Sequence, residues 1–288
     1  MPPGPPQSAV EMPLVSVVIA VRNGAATLQR CLDSIAAQDL ASRETIVFDA
    51  VSTDGTRELL ERNARSGAID HYVSEPDKGV YDAWNKGIRR ARGRWVCFLG
   101  CDDAFHDAGA LRSMVEASAR AGDPGSVVYG RIRRVTQSGV LIETIGEPWE
   151  RTRDGFLAGS NIPHPGTLHR RSMLEAQGCF DISYRIAGDY HLLLGELPTR
   201  APLFVDRVVV DMGFGGLSSR PGTILVALRE VARARRERGL GGNSAYLRER
   251  LAFAWAGRMV YGILGDHAYR RLADFYRRLR GRPRIWTA

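Results

Sequence analysis

Two adjacent carboxylates, Asp102 and Asp103, follow almost directly on the apolar run RWVCFL at 94–99. Such a pair repels itself, and an acid ends a buried segment poorly unless something neutralises it. A hard divalent cation would do so and would then attract a diphosphate. The plainer reading is a loop acid and a cap for the next helix. Asp49 ends an earlier apolar run, where an acid can accept hydrogen bonds from a base or ribose or simply turn the chain. Asp189 lies in Ile186-Ala187-Gly188-Asp189-Tyr190, a carboxylate beside apolar residues, which raises proton affinity and suits a general base; a helix cap is the alternative. Lys78, in Ser74-Glu75-Pro76-Asp77-Lys78-Gly79, is one of only two lysines among 40 basic residues. It is a compact charge able to meet phosphate, or else part of a solvated turn, and the helix behind it carries Tyr81, Asp82, Asn85 and Lys86. His164, between two prolines, could bind phosphate or sugar or be a structural histidine. The glycine-rich stretch 214–219 could pack closely on a ligand or serve as a linker.

The elements that would position these residues follow from periodicity. LVSVVIAV at 14–21 is a β-branched run of the kind buried on both faces of a parallel sheet. Helical spacing follows over 25–37, then a strand at 45–48, a helix over 56–64 opened by Asp54 as its cap, a strand at 69–73, a helix over 80–91 and a strand over 94–99. Four alternations of strand and helix predict βαβ units and a parallel sheet. Ligands bind beyond the carboxyl ends of such strands, and here those ends carry Arg22-Asn23-Gly24, Asp49, the 74–79 segment and Asp102-Asp103. Farther on, the pattern predicts a helix near 108–119, a hairpin of strands 127–135 and 140–145 turning at Ser138-Gly139, loops over 146–169, short helices near 171–177 and 189–196, and a strand at 203–211. From Pro221 onward the chain reads as helical, broken near 239–242.

Composition narrows the field. The 288 residues, 44% hydrophobic and 25% charged, suit one large α/β domain with an appendage and exclude wholesale disorder. No apolar run reaches the roughly 20 residues of a membrane-spanning helix. The proline-rich residues 1–12 lack a signal-peptide pattern and are expected to be a disordered tail, so a cytoplasmic location is expected. Cys31, Cys97, Cys101 and Cys179 form no metal-type or disulfide-type spacing and are expected to be small buried apolar residues. The net charge is +8, yet residues 223–288 hold 15 arginines against five acids, so the basicity belongs to this segment. Interleaved with Leu, Phe, Trp and Tyr, it suits either the plane of an anionic membrane surface or ordinary packing on the preceding domain. No nucleic-acid motif accompanies the charge, and nucleic acid is not an expected partner.

The strings VSVVIAVRNG, STDGT after Asp49, SEPDKGVYDAWNKG and RWVCFLGCDD, in this order and spacing, resemble the family 2 inverting glycosyltransferases of GT-A fold, especially bacterial enzymes of exopolysaccharide, colanic-acid and O-antigen synthesis. The resemblance covers about 13–219. It implies a Rossmann-like, mostly parallel sheet flanked by helices, with a nucleotide-sugar-binding half over 13–103 and an acceptor half over 104–220; the helical pattern beyond it makes 221–288 a basic helical extension. It implies Asp49 as the nucleobase contact, Asn23, Lys78, Asp82 and Asp102 in the donor cleft, Asp103 as the contact to Mn2+ or Mg2+, and Asp189 as catalytic base. His164 and Gly215-Gly216 fall where acceptor and diphosphate pockets are shaped. The implied donor is a nucleoside-diphosphate sugar, UDP- ahead of GDP-, and the acceptor a hydroxyl of a glycan or polyprenyl-linked glycan, reached at the inner face of the plasma membrane. A catalytically silent nucleotide-sugar-binding scaffold and a nucleotidyltransferase are the other readings; Arg22-Asn23-Gly24 is too meagre a phosphate loop for the latter. Two positions depart from the family pattern. Ala50-Val51 separate Asp49 from Ser52, and Gly188 stands where an acid often precedes the base.

Overall fold

In the computed structural model, residues 12–122, 125–136, 138–213, 221–282 and 284–287 are described. The strands Val15–Val21 (β1), Arg43–Asp49 (β2), His71–Ser74 (β3) and Trp95–Gly100 (β4) pair in parallel in the order β3-β2-β1-β4. Helices Leu28–Ala36 (α1), Thr56–Arg65 (α2) and Val80–Arg90 (α3) make the crossovers. Alternation along β1 decides the layers. Val15, Val17 and Ile19 pack with Leu28, Leu32 and Ile35 of α1, while Val18 faces the opposite cluster with Tyr81 and Ile88 of α3. Both faces are covered, and for that reason β1 reads as an unbroken apolar run.

The second half continues the sheet in a different sense. It comprises Ala104–Phe105 (β5), Ala110–Arg120 (α4), Val127–Val135 (β6), Leu141–Ile145 (β7), Trp149–Ala158 (α5), Leu168–Arg170 (β8), Arg171–Ala176 (α6), Gly188–Leu194 (α7) and Leu203–Gly213 (β9). β8 lies antiparallel between β4 and β6, β9 runs parallel to β6, and β7 forms the expected hairpin with β6. Pro221–Glu237 (α8) and Ala245–Leu279 (α9) follow.

Several expectations need correction. The segment 146–169 is not merely loop, since it holds α5 and the start of β8. The reason is that α5 buries only Trp149 and Phe156, too few apolar positions to show a helical stripe in sequence. Asp54 does not occupy the cap position of α2: Gly55 does, with φ +94°, while Asp54 accepts from the Thr56 and Ala25 N–H groups at 3.2 and 3.1 Å. Asp189 lies inside α7 rather than capping it. The break near 239–242 is present, but α9 contains a second one, at Gly265 (φ +77°, ψ −176°). All four cysteines are unbonded thiols; Cys31 and Cys97 are buried, Cys101 and Cys179 only half-buried. The expected tail falls, but for Met12, outside the described residues, as does the glycine-rich stretch 214–219.

Close packing of α3 on the sheet depends on Gly87. A Cβ at this position would lie 2.3 Å from Val18 Cγ1, a stiff and fully buried side chain. Gly87→Ala is therefore expected to lower stability by about 1–3 kcal/mol, as overpacking does, and to depress the thermal unfolding midpoint. An unchanged midpoint would show that the helix can lift away without cost.

Candidate active site

A cavity of about 480 Å³ opens at the carboxyl ends of the parallel strands and is lined by Tyr81, Trp84, Asp102, Asp103, His164 and Asp189, among others. The sheet explains the convergence. Val21, Asp49 and Ser74 stand side by side where β1, β2 and β3 end, and Gly100 closes β4 next to Ala20. The chain then turns, and the carboxylates of Asp102 and Asp103 fold back over Gly100. A Cβ on that glycine would sit 2.8 Å from Asp102 Oδ1 and 2.9 Å from Asp103 Oδ2. Asp103 is buried and accepts from the Gly100 N–H at 2.9 Å and the Gly213 N–H at 3.2 Å. Lost hydration first, and then the Asp102 charge, push its pKa upward.

The pair fits a divalent cation. Two hard oxygen donors crowd one glycine, and their mutual repulsion is what a cation would relieve. Among the described residues no third His, Cys, Asp or Glu joins them. The remaining positions would thus fall to substrate oxygens and water, the usual arrangement for Mg2+ with phosphates.

Asp189 lines the same cavity and is only partly reached by solvent. Loss of hydration outweighs its hydrogen bonds and raises its pKa to about 6. Asn161 Nδ2 donates to Oδ2 at 2.7 Å, and the Tyr81 hydroxyl stands 3.2 Å from Oδ1. That hydroxyl also donates to the Ile186 carbonyl at 2.6 Å and accepts from the Gly188 N–H at 2.8 Å. Gly188 is explained by the same contact, since a Cβ there would lie 2.8 Å from the Tyr81 ring. An acidic side chain before Asp189 is thereby excluded in this chain.

His164 is buried and packs in a three-ring cluster with Trp84 (ring centroids 5.1 Å) and Phe98 (5.7 Å), which also touch each other (4.8 Å). Burial pushes its pKa down to about 4, so it is a neutral imidazole at ordinary pH, and its Nε2 has no partner among the described residues. Such a ring can bond a sugar hydroxyl but offers phosphate no charge.

The other expected residues lie on the same rim outside the cavity lining. Asp49 is buried; Ser52 Oγ, the Ser52 N–H (3.1 Å) and Ser74 Oγ (2.6 Å) all donate to it. Asn23 bonds the neighbouring turn through the Thr53 N–H, at 2.9 Å. Val51 is held at φ +54°, a strained region for a β-branched residue. The Lys78 side chain is exposed, and its N–H donates to Asp82. Lys86, not Lys78, is the paired lysine, 2.8 Å from Glu75 and 3.5 Å from Asp82.

Sequence reasoning assigned no role to the arginines of this cavity. Arg134, Arg185, Arg250 and Arg277 line it. Arg134 and Arg277 share one carboxylate, Glu143, each at 2.9 Å. Arg185 and Arg250 make no ion-pair contact with an acid among the described residues, although, after the hydrogen bond from Arg280, the Arg250 charge helps hold the Glu249 carboxyl below its usual range. Arginine abundance throughout the chain hid them. Also missed was Glu230 of α8, whose carboxylate accepts from the N–H groups of Arg185, Ile186 and Ala187, each at 2.8 Å. The C-terminal helices therefore fix the turn that presents Asp189.

Residues 16–173 match the family described as Glycosyl transferase family 2. A "PGL/p-HBAD biosynthesis glycosyltransferase" of Mycobacterium tuberculosis is 32% identical over 215 residues, covering 72% of this chain and 80% of its own length. The succinoglycan biosynthesis protein ExoO of Rhizobium meliloti is 29% identical over 209 residues, 67% of this chain and 58% of its own. Among solved structures, S. aureus TarS in complex with UDP-GlcNAc superposes with a TM-score of 0.62 at 17% identity, covering 86% of this chain and 73% of that one. The mannosyltransferase PcManGT of Pyrobaculum calidifontis, in complex with GDP-Man and Mn2+, gives 0.59 at 18%, covering 92% and 74%. At these identities the structures establish the fold, the GT-A arrangement expected from sequence.

Replacing Glu230 by Ala strands three backbone donors at once. Hydrogen exchange at Arg185, Ile186 and Ala187 is expected to quicken, with a stability loss of about 2–4 kcal/mol. Unchanged protection of these three amides would show that the turn holds itself.

Proposed function

Since the chain belongs to glycosyl transferase family 2 and is a glycosyltransferase, we propose that it moves a sugar from a nucleoside-diphosphate donor, UDP- ahead of GDP-, to a hydroxyl of a glycan or lipid-linked glycan in bacterial surface polysaccharide synthesis. The observation that carries this reading is that Asp103 and Asp189 share one cavity while each is held by its own hydrogen bonds. Relatives named for glycosyl transfer and for succinoglycan biosynthesis support it, as do solved neighbours holding UDP-GlcNAc or GDP-Man with Mn2+.

On this reading Asp189 takes the proton from the acceptor hydroxyl as that oxygen bonds to the anomeric carbon. The bond from that carbon to the phosphate oxygen breaks, and the nucleoside diphosphate leaves with the electron pair. One displacement inverts the anomeric configuration. Asn161 and Tyr81 aim the base; the clustered rings of His164 and Trp84 form the wall against which a sugar lies. Asp49, Asn23, Lys78 and Asp82 border the nucleoside. Asp102 and Asp103 would hold Mn2+ or Mg2+, which when bound supplies counter-charge to the diphosphate. Arg185 and Arg250 add fixed positive charge to the same cavity. The basic segment 223–288 brings the enzyme to the cytoplasmic face of an anionic membrane.

Because the base must be ionised, turnover is expected to rise about tenfold per pH unit below pH 6 and to level off above it. Asp189→Asn should remove this limb and lower turnover about 10²–10⁴-fold while nucleotide binding persists. A wild-type profile flat between pH 5 and 7 would overturn the assignment.

Thermal unfolding with UDP, GDP, TDP and CDP, each with and without Mn2+ or Mg2+, tests the donor site. One nucleotide at about a hundred times its Kd should stabilise by about 2.7 kcal/mol, in the presence of the cation only, and Asp103→Ala should abolish the effect. No cation-dependent shift with any of the four would overturn the role of Asp103.

A further inference from the structure

The span α9 is two helices that meet at Gly265, whose non-helical conformation reverses the chain into a hairpin of two arms, 245–264 and 266–279. Contacts between the arms are antiparallel about this glycine. Glu249 pairs with Arg280, Phe253 stacks on Tyr276, and a Cβ on Gly257 would meet the Tyr269 ring at 3.1 Å. The base of the hairpin is anchored. Leu247 packs fully buried beside Leu228 and Ala232 of α8, Ser244 Oγ donates to the Ala158 carbonyl, and Arg277 meets Glu143. The tip has no such support: all of 261–267 is exposed. Gly265 lies 15 residues beyond Arg250, which lines the cavity, so at 1.5 Å per residue the tip stands about 22 Å from the active site.

Apart from Asp266 and His267, the tip exposes large apolar side chains where a solvated turn would be polar. Tyr261, Ile263 and Leu264 are 46%, 73% and 66% exposed. Trp255, Met259 and Ile263 follow at i, i+4 and i+8, one continuous exposed stripe along the first arm. Around them stand Arg258 and Arg271, while Arg270 is paired with Asp266 at 2.5 Å, and residues 243–288 carry ten arginines against three acids. Two copies of so basic a surface would repel each other, whereas an anionic surface complements it. No described helix is long and apolar enough to cross a bilayer.

We propose that the α9 hairpin docks the enzyme on an anionic lipid bilayer by burying its Tyr261–Leu264 tip at the interface while its base supplies part of the active-site wall. The inference deepens the membrane contact in the function proposed above and rests on that reading for its purpose, though not for its test. Insertion of the aliphatic tip supplies the apolar contribution and the flanking arginines the electrostatic one, a pairing that neither supplies alone. A bilayer-anchored acceptor would thus meet the base Asp189 from a fixed height.

Flotation of the full chain with vesicles of phosphatidylcholine alone, and of phosphatidylcholine with phosphatidylglycerol, tests it without any donor or acceptor. Binding is expected to the anionic vesicles, weakening as salt is raised. Ile263→Glu with Leu264→Glu should reduce it about tenfold or more while leaving the nucleotide- and cation-dependent rise in unfolding midpoint intact. That midpoint also reports that the variant has folded. Wild-type protein that fails to float, or a double variant that floats equally well, overturns the proposal. So does a concentration-dependent dimer, seen by light scattering, that the double substitution dissolves without any vesicle binding by wild type. A loss of glycosyl transfer in all forms with vesicle binding preserved would instead count against the proposed activity alone.

Discussion

Burying a carboxylate costs several kcal/mol unless hydrogen bonds or an opposite charge replace its lost water, and this protein brings three to one edge of its sheet. Each is settled differently. Asp49 is surrounded by serine donors and the Ser52 amide, from the turn that follows it and the end of the neighbouring strand. Asp103 receives two backbone N–H groups but faces a second carboxylate, and that unresolved repulsion is the feature suited to a cation. Asp189 receives an amide and approaches a phenol while remaining short of water, which leaves it readier to take a proton than an exposed aspartate. Neighbouring acids thus acquire different chemical characters through their surroundings, with no difference in side-chain type.

Holding those surroundings in place is work shared with distant parts of the chain. Glu230 clasps the turn before Asp189, and Asp274 accepts from the N–H groups of Ile285, Trp286 and Thr287, bringing Ile285 and Trp286 to the cavity. Glu143 joins the β6–β7 hairpin to the second arm of α9 through two arginines. Both partners of the Glu143–Arg277 contact are largely buried, so losing either would leave an uncompensated charge rather than a weakened surface pair. The C-terminal helices are consequently part of the cavity's wall as well as a surface of their own.

The order of strands and helices through Gly100 was legible because both faces of the sheet are covered, which forces apolar runs into the strands and a stripe onto each crossover helix. The rim acids were legible for the same reason: a carboxylate at the end of such a run is conspicuous. The order of the four motifs singled out Asp49, Asp102 and Asp103, and the resemblance added Asp189 outside them. Beyond Gly100 the pattern faded. α5 buries two aromatic residues and shows no stripe, and β8 is three residues long, made a strand by the neighbours it lies between.

By itself the sequence determined the alternating α/β architecture, the sheet edge formed by the carboxyl ends of its strands and the acids that stand there, because these follow from local periodicity and from residues adjacent in the chain. Only the tertiary structure decided which of those acids share a cavity, why glycine rather than an acid precedes Asp189, that His164 is neutral, and that a hairpin from the far end of the chain closes the site. Each of these depends on contacts between residues about 80 to 175 positions apart, Tyr81 with Gly188 and Trp84 with His164, Arg134 with Arg277 across Glu143, Asp103 with Arg277 across one cavity. Such separations leave no periodic trace in a single chain, and the energy of the contacts exists only once the sheet has brought them together.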